Sequence, residues 1–279
     1  LHLAAVTPQH VLLAFTDAEA RARFAKAWGI ADLPAEIGIS LTDVPHKIHE
    51  GKLKAYYIFG EDPLQTDPDL ESLRREFEKL ELIIVQDIFM TKTAMMADVI
   101  LPATSWGEHD NVFTAADRGF QRCYKAVDAK GDVKDDWEIH SLMATAMGYP
   151  MKYNNTQEIW DELRGLCHLY TGATYEKMAD LGYVQWPCPT EDHPGTPWLY
   201  EGNKFDTPSG KAQLFAAEWR APLEKVDADY PLGLCTVREV GHYSCRSMSG
   251  NCTALQTLAD EPGFVQVHPD DAKKYGVKD

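Results

Sequence analysis

Several groups of residues in this chain of 279 have the types and spacing to do chemistry. Two are short polar runs, Gly60-Glu61-Asp62 and Gln86-Asp87, each directly after an apolar stretch. A carboxylate accepts two hydrogen bonds at once, which matches paired ribose hydroxyls or the N1–H and N2–H of guanine. Gly60 lets backbone approach a ligand closely. The same acidic residues would also serve as helix caps. A third group is the run Arg238-Glu239-Val240-Gly241-His242-Tyr243-Ser244. Arginine offers a planar fork to phosphate or carbonyl oxygens, and His242, Tyr243 and Ser244 add donors and acceptors beside Gly241. Taken alone, that run reads equally as a surface loop in which Arg238 and Glu239 pair with each other. Glu108-His109 and Asp117-Arg118 have the composition of acid–base pairs.

Other signatures are missing. No G-x-G-x-x-G follows a strand, and Ser209-Gly210-Lys211-Ala212 lacks the rest of a P-loop. The six cysteines, Cys123, Cys167, Cys188, Cys235, Cys245 and Cys252, include no C-x-x-C pair and no zinc or iron–sulfur spacing. Scattered in this way they suit a reducing cytosol, as small buried hydrophobes. His46 and His49 lie three apart without a third ligand and read as a solvated helix face.

Strands must position the polar runs. Residues 53–59 form an apolar stretch ending in Gly60-Glu61-Asp62-Pro63, and residues 82–85 are a β-branched run too short for a helix, read as a strand buried on both faces. A small-residue helical turn at 94–97 leads to a strand at 98–101, stopped by Pro102. Between the first two strands a helix is expected, with Asp67 as its cap, Pro68 at its first position, and Leu70, Leu73, Phe77 and Leu80 as its buried stripe. Strand, helix, strand, helix, strand predicts neighbouring parallel strands, with ligands beyond their carboxyl ends. Before them, Thr16-Asp17-Ala18-Glu19 predicts a capping box for a helix through Trp28, with Ala20, Phe24, Ala27 and Trp28 on its apolar face. A second helix is expected over 41–49. After the sheet, helices are expected over 137–147 (capped by Asp135 or Asp136), after Asn154 or Asn155 (with Ile159, Leu163 and Leu166 inward), over 175–181 and over 269–275. The proline- and glycine-rich stretch 186–210 is the best domain boundary, and strands are expected at 213–215, 232–237 and 264–268.

Composition narrows the function. Length allows about two domains. The net charge of −16 argues against nucleic acid or an anionic membrane surface as partner. No apolar run reaches the roughly 20 residues of a membrane span. The first residues lack the basic region and cleavage site of a signal peptide, and the chain does not open on Met, so it is expected to be an internal piece of a longer protein.

The segment QDIFMTKTAMMADVILP, followed by WGEHDNVFTAADRGFQR, resembles the molybdopterin-guanine-dinucleotide oxidoreductases of the dimethyl sulfoxide reductase family. Within that family the chain, from about Arg21 onward, is most similar to formate dehydrogenase alpha subunits of the formate hydrogenlyase type, and VREVGHYSCRSMSGN is the motif most specific to them; residues 1–15 carry no such likeness. The resemblance implies an α/β fold: a parallel Rossmann-like sheet domain (1–101), a helical region packing toward an iron–sulfur domain (102–204), and the incomplete start of a C-terminal β-barrel domain (205–279). It implies that Gly60, Glu61, Asp62, Thr66, Gln86, Asp87 and Asp98 hold the guanosine end of a bis-molybdopterin guanine dinucleotide cofactor carrying Mo or W, without deciding which carboxylate reads guanine. It brings Arg238, Glu239, Gly241, His242, Tyr243 and Ser244 to the same cofactor, and makes Glu108-His109 and Asp117-Arg118 braces of the fold.

The implied reaction is two-electron oxidation of formate to carbon dioxide in the cytoplasm. Electrons would pass through a 4Fe-4S cluster to a ferredoxin-like iron–sulfur subunit or hydrogenase module. The four-cysteine cluster motif, and the selenocysteine or cysteine that binds the metal in this family, are not in this sequence. The chain alone is therefore expected to contain no catalytic or metal-binding residue and to be inactive. Alternatives are another oxidoreductase of the family, such as a nitrate reductase, or a pterin-free structural electron-transfer subunit; GHYSCRSM and the retained G-E-D-P speak against them.

Overall fold

The structure is a computed structural model, and it describes residues 17–205, 207–237, 241–242, 246–257 and 264–278. Helix α1 (Ala18–Trp28) starts at Asp17, whose carboxylate accepts the N–H groups of Glu19 and Ala20, and stops at Gly29 in the left-handed region. Thr16, expected in the cap, lies outside the described residues. The buried positions of α1 are Ala20 and Ala25, whereas Trp28 is exposed; the small residues face inward and the aromatics lie across the helix surface. A 3-10 turn at Leu41–Asp43 passes into α2 (Val44–His49), because Pro45 in the first turn cannot donate the bond that would continue a single helix.

The parallel sheet forms as expected. β1 (Ala55–Phe59) is followed by the short α3 (Pro63–Thr66), then α4 (Leu70–Phe77), β2 (Leu82–Asp87) and β3 (Val99–Pro102). The strands run parallel in the order β1-β2-β3, with Phe59 opposite Gln86 and Asp87 opposite Pro102. The cap of α4 is Asp69, not Asp67, and Leu70 is exposed. Asp67 and Pro68 are taken up by the end of α3, which the sequence reading missed, so the helix begins two residues late. The buried stripe is Leu73 and Phe77, with Leu80 partly buried against it.

Alternation gives β2 two different faces. Ile83 and Val85 point to one side, where they pack with Ile58 of β1, Val44 and Ile48 of α2, and Leu73 and Phe77 of α4. Ile84 and Gln86 point to the other, where α5 (Asp136–Ala146) meets the sheet end through Gln86 and Asp136. Asp135 caps α5 in a capping box with Glu138.

The region between 102 and 204 is not only helical. β4 (Asn111–Thr114) and β5 (Gly119–Cys123) form an antiparallel hairpin, and β5 is extended by the two-residue β6 (Val184–Gln185). Asp117-Arg118 sits in its turn. α6 (Thr156–Leu166), capped by Asn155, and α7 (Tyr175–Leu181), capped by Thr174, close over this sheet. The second core is Phe120, Trp160, Ala173, Tyr175, Met178, Val184 and Cys188. Trp160, not Leu163, is the inward residue of α6, because its indole N–H finds the Ala173 carbonyl at 2.6 Å while its ring meets Phe120 edge-on.

The expected strands at 213–215, 232–237 and 264–268 are absent among the described residues. Their backbones find no ladder partner there, and Leu214, Phe215, Leu234 and Val237 are 80–92% exposed. Two short helices close the order, α8 (Thr253–Gln256) and the expected α9 (Pro269–Tyr275), stopped by Gly276.

Candidate functional site

The two polar runs lie side by side. Gly60 donates its N–H to the Gln86 carbonyl at 2.9 Å, which continues the β1–β2 ladder one step past Phe59. At that point Gly60 takes φ 63°, a left-handed conformation that turns the chain toward Asp62, with open space where a side chain would point. The result is a cleft of about 340 Å³ at the carboxyl ends of β1 and β2, bounded by Gly60, Glu61, Asp62, Thr66, Asp87 and Asp136. Ser247 and Met248 close it from above, and a neighbouring hollow of about 580 Å³ shares Asp62, Phe89 and Ser247 with it.

The acidic residues of the cleft are held in different ways. Asp62 is buried, and one of its oxygens accepts both the Thr93 N–H at 2.9 Å and the Thr93 hydroxyl at 2.7 Å. Thr93 in turn receives the Leu64 N–H, so this carboxylate ties the turn after β1 to the loop after β2. Thr66 donates its hydroxyl back to the Asp62 carbonyl. Asp87 is half-buried and accepts the Phe89 N–H at 2.9 Å. Burial pushes its carboxyl above the ordinary aspartate range; the Phe89 and Ile88 N–H groups oppose this, and the charges of Asp62 and Asp136 add to it. Gln86 is fully buried. Its amide accepts from the Tyr57 hydroxyl and donates to Asp136 at 2.6 Å.

Asp98 is not part of this cluster. It stands before β3, at the amino end of the sheet, where its carboxylate accepts the Ile83 N–H at 2.7 Å. Of the later run, Arg238, Glu239, Tyr243 and Ser244 lie outside the described residues. Gly241 is described without lining the cleft, and His242 is buried with its ring nitrogen 3.1 Å from the Ser249 hydroxyl. What reaches the cleft and its neighbour is the continuation of that run, Arg246, Ser247 and Met248.

The pairs that look like acid–base groups are engaged elsewhere. Arg118 donates to the carbonyls of Trp186, Thr196 and Pro197 and stacks on the Trp186 ring, bracing β5 to the 186–197 segment. Glu108 accepts the Ser105 N–H, and His109 is held between Thr104 and Asn111. Among the described residues no group of cysteine, histidine and carboxylate side chains could hold a metal. Among the described cysteines only Cys188 is fully buried; Cys123 and Cys167 are half-buried, Cys235 and Cys252 are exposed, since neither belongs to a packed core, and Cys245 lies outside the described residues.

Asp136 is the cleft residue the sequence reading passed over. Residues 135 and 136 were alternatives for one cap, yet a helix needs one N-cap side chain. With Asp135 filling it, the second aspartate of the doublet is left to turn toward the strand tips, and the doublet is the signal.

The sequence model of the molybdopterin oxidoreductase family matches residues 7–146, and so takes in part of the 1–15 stretch that carried no visible likeness. The chain is 61% identical to formate dehydrogenase H of Escherichia coli strain K12 over 261 residues, 93% of this chain and 36% of the relative. It is 39% identical to an F420-dependent formate dehydrogenase alpha subunit of Methanococcus maripaludis, over 93% of this chain and 38% of the relative. It therefore spans little more than a third of the length of these relatives. In fold it is similar to acetylene hydratase from Pelobacter acetylenicus, with a TM-score of 0.59 at 19% identity, over 97% of this chain and 39% of that one.

Proposed function

The chain belongs to the molybdopterin oxidoreductase family, and on that basis we propose that it is part of a formate dehydrogenase, an enzyme oxidising formate to carbon dioxide with transfer of two electrons. The observation that carries this reading is the 61% identity to formate dehydrogenase H along 93% of the chain. Within the enzyme, the role of this chain is to hold and orient the guanosine end of a bis-molybdopterin guanine dinucleotide. The cleft fits that group in its chemistry: Glu61, Asp87 and Asp136 offer acceptors to a base edge or ribose rich in donors, and the backbone at Gly60 leaves room for close approach. Thr66 and the Ser247–Met248 turn complete the walls, and Arg238, Glu239, Gly241, His242, Tyr243 and Ser244 are assigned to the same cofactor.

When bound, the cofactor supplies the redox chemistry through its molybdenum or tungsten. The residues of this chain bind, orient and exclude water. A 4Fe-4S cluster with ligands outside this chain, and a ferredoxin-like iron–sulfur subunit or hydrogenase module as electron acceptor, complete the proposal, with the enzyme in the cytoplasm. Among the described residues no helix is long and apolar enough to cross a membrane. The proposed division is a cofactor-binding α/β unit at 1–101, a connecting region at 102–204 and the start of a further cofactor-binding domain at 205–279.

The test is to produce the complete enzyme and this chain alone, and to measure metal content by mass spectrometry and formate-dependent dye reduction. The complete enzyme is expected to hold molybdenum or tungsten and reduce dye, and the chain alone to do neither. Absence of formate oxidation by the metal-loaded complete enzyme overturns the reading.

A further inference from the structure

Lys177 and Cys188 meet beneath the turn that follows β6, in the second core and away from the cleft. Lys177 lies on α7, and its ammonium donates to the carbonyls of Glu191, at 2.8 Å, and His193, and to the Cys188 sulfur at 3.6 Å. The three protons of the ammonium thus find three acceptors. The sulfur is fully buried, and the His193 carbonyl at 3.3 Å accepts its own proton. The backbone around it is pinned on both sides. The Cys188 N–H donates to the Leu169 carbonyl, and the Cys188 carbonyl accepts from Gly172, each at 2.7 Å. The sulfur therefore cannot retreat from the amine, whereas the flexible four-carbon stem of Lys177 can advance on it.

What covers the pair is thin. Residues 189–192 are exposed. Their turn is held by the His193 N–H on the Thr190 carbonyl at 3.1 Å, and by Glu191 at 3.6 Å from Arg164. Such a turn opens at far lower cost than a packed core, and a molecule little larger than water then reaches the sulfur. The described cysteines are all free thiols. The group at hand to close on an oxidised Cys188 is an amine, not a second sulfur.

We propose that Lys177 captures Cys188 once hydrogen peroxide has oxidised it, forming a reversible sulfur–nitrogen bond between α7 and the segment after β6. In the first step the thiol attacks the peroxide. The O–O bond breaks, an S–O bond forms, and the sulfur becomes a sulfenic acid with release of one water. In the second, the Lys177 nitrogen gives one proton to solvent and attacks the sulfur. The S–N bond forms, the S–O bond breaks, and the hydroxyl leaves as water with a second proton from the nitrogen. One ammonium, one thiol and one hydrogen peroxide give one sulfenamide, two waters and one proton. Two electrons pass from sulfur to the peroxide oxygens. Without the amine the next rung is sulfinic acid, which thiols do not reverse and which would place an anion in the second core.

The test exposes the folded complete enzyme to hydrogen peroxide and blocks the remaining thiols with iodoacetamide. Chymotrypsin, which cuts between the two residues at Leu181 and Tyr183, then releases the peptides for mass spectrometry. The expected main oxidised form of Cys188 is a pair of peptides joined through Lys177 and Cys188, lighter than their sum by two hydrogen atoms and separated by dithiothreitol. In Lys177→Met the joined pair is expected to vanish and Cys188 to proceed to sulfinic acid. The joined pair is read in unsubstituted enzyme, so the outcome does not depend on the folding of Lys177→Met. A Cys188 that stays a thiol, or that reaches sulfinic acid in unsubstituted enzyme without the joined pair, overturns the proposal. So does a joined pair that forms only after unfolding in urea, or one that carries an added oxygen between nitrogen and sulfur.

Discussion

Asp62 and Asp87 have the same side chain at the tips of two neighbouring strands and carry opposite burdens. Asp62 is spent on Thr93, accepting its N–H and its hydroxyl within the buried turn. Asp62→Ala leaves that N–H buried without an acceptor, so we expect unfolding free energy to fall by about 1–3 kcal/mol in urea titrations, with any loss of cofactor following from the loss of fold. Asp87 is held above its ordinary pKa, first by burial. A carboxyl whose folded pKa is raised binds its proton more tightly folded than unfolded. Its contribution therefore falls as pH rises from the unfolded value through the folded one, and stays at that lower level above it. Asp87→Asn removes this decline. The variant is expected to be no less stable than the parent at neutral pH, with a flatter stability profile between about pH 4 and neutrality, and to lose cofactor with the fold intact. A variant as destabilised as Asp62→Ala would contradict this assignment of roles.

At the scale of elements, the parallel strands were legible because each is a short run of apolar residues closed by turn or polar ones: Gly60 directly after β1, and Gln86-Asp87 at the tip of β2. Burial along the whole strand, expected for residues 82–85, is found in β2 as buried or half-buried positions, whereas β3 leaves Val99 and Ile100 exposed. The hairpin of β4 and β5 was not legible: Asn111–Thr114 alternates only weakly, its turn residues Asp117 and Arg118 resemble a catalytic pair, and β6 is two residues long. Local pattern cannot reveal that Arg118 reaches carbonyls nearly eighty positions away. The inward face of α6 was misjudged for a similar reason, since a large ring with a long-range hydrogen bond outweighs three leucine-like positions. Two expectations follow at this scale. Glu162 accepts from both the Trp28 indole and the Tyr153 hydroxyl, tying α1 to α6, and Tyr153 is pushed up to about 12 by burial and by that bond. Glu162→Gln should bring the Tyr153 titration down in ultraviolet absorbance while leaving it above an exposed tyrosine, because the burial remains. Gly172 donates to the Cys188 carbonyl at 2.7 Å, and a β-carbon there would run into the Thr190 carbonyl. Backbone cannot swing aside as a side chain can, so Gly172→Ala is expected to cost about 1–3 kcal/mol, read as a lowered melting temperature; an unchanged value would show that the 172–190 contact gives way freely.

For the whole molecule, the two cores account for what was legible and what was not. The sheet core and the hairpin core each bury their own apolar residues. Residues 211–237 join neither, and Trp219 and Leu223 are 83% and 105% exposed. Their apolar alternation reads as strand, yet a strand needs a neighbour, and the sequence of one segment does not reveal where that neighbour comes from. We expect limited proteolysis of this chain to begin within 211–237, mapped by mass spectrometry, and the same bonds to resist in the complete enzyme; first cuts inside β1, β2 or α5 would contradict the division into cores. The cleft itself is assembled from residues 60–62, 86–89, 136 and 247–248. That spread sets a clock for biogenesis. The ribosome adds about 5–20 residues per second, so the wall near Met248 follows Gly60 by roughly 10–40 s. During that interval a nascent chain has a floor without a roof, and any nucleotide group it met could leave as freely as it came. On the proposed reading, a nucleotide group would be retained only once synthesis has passed Met248, so the power to hold it arrives well after the floor that receives it.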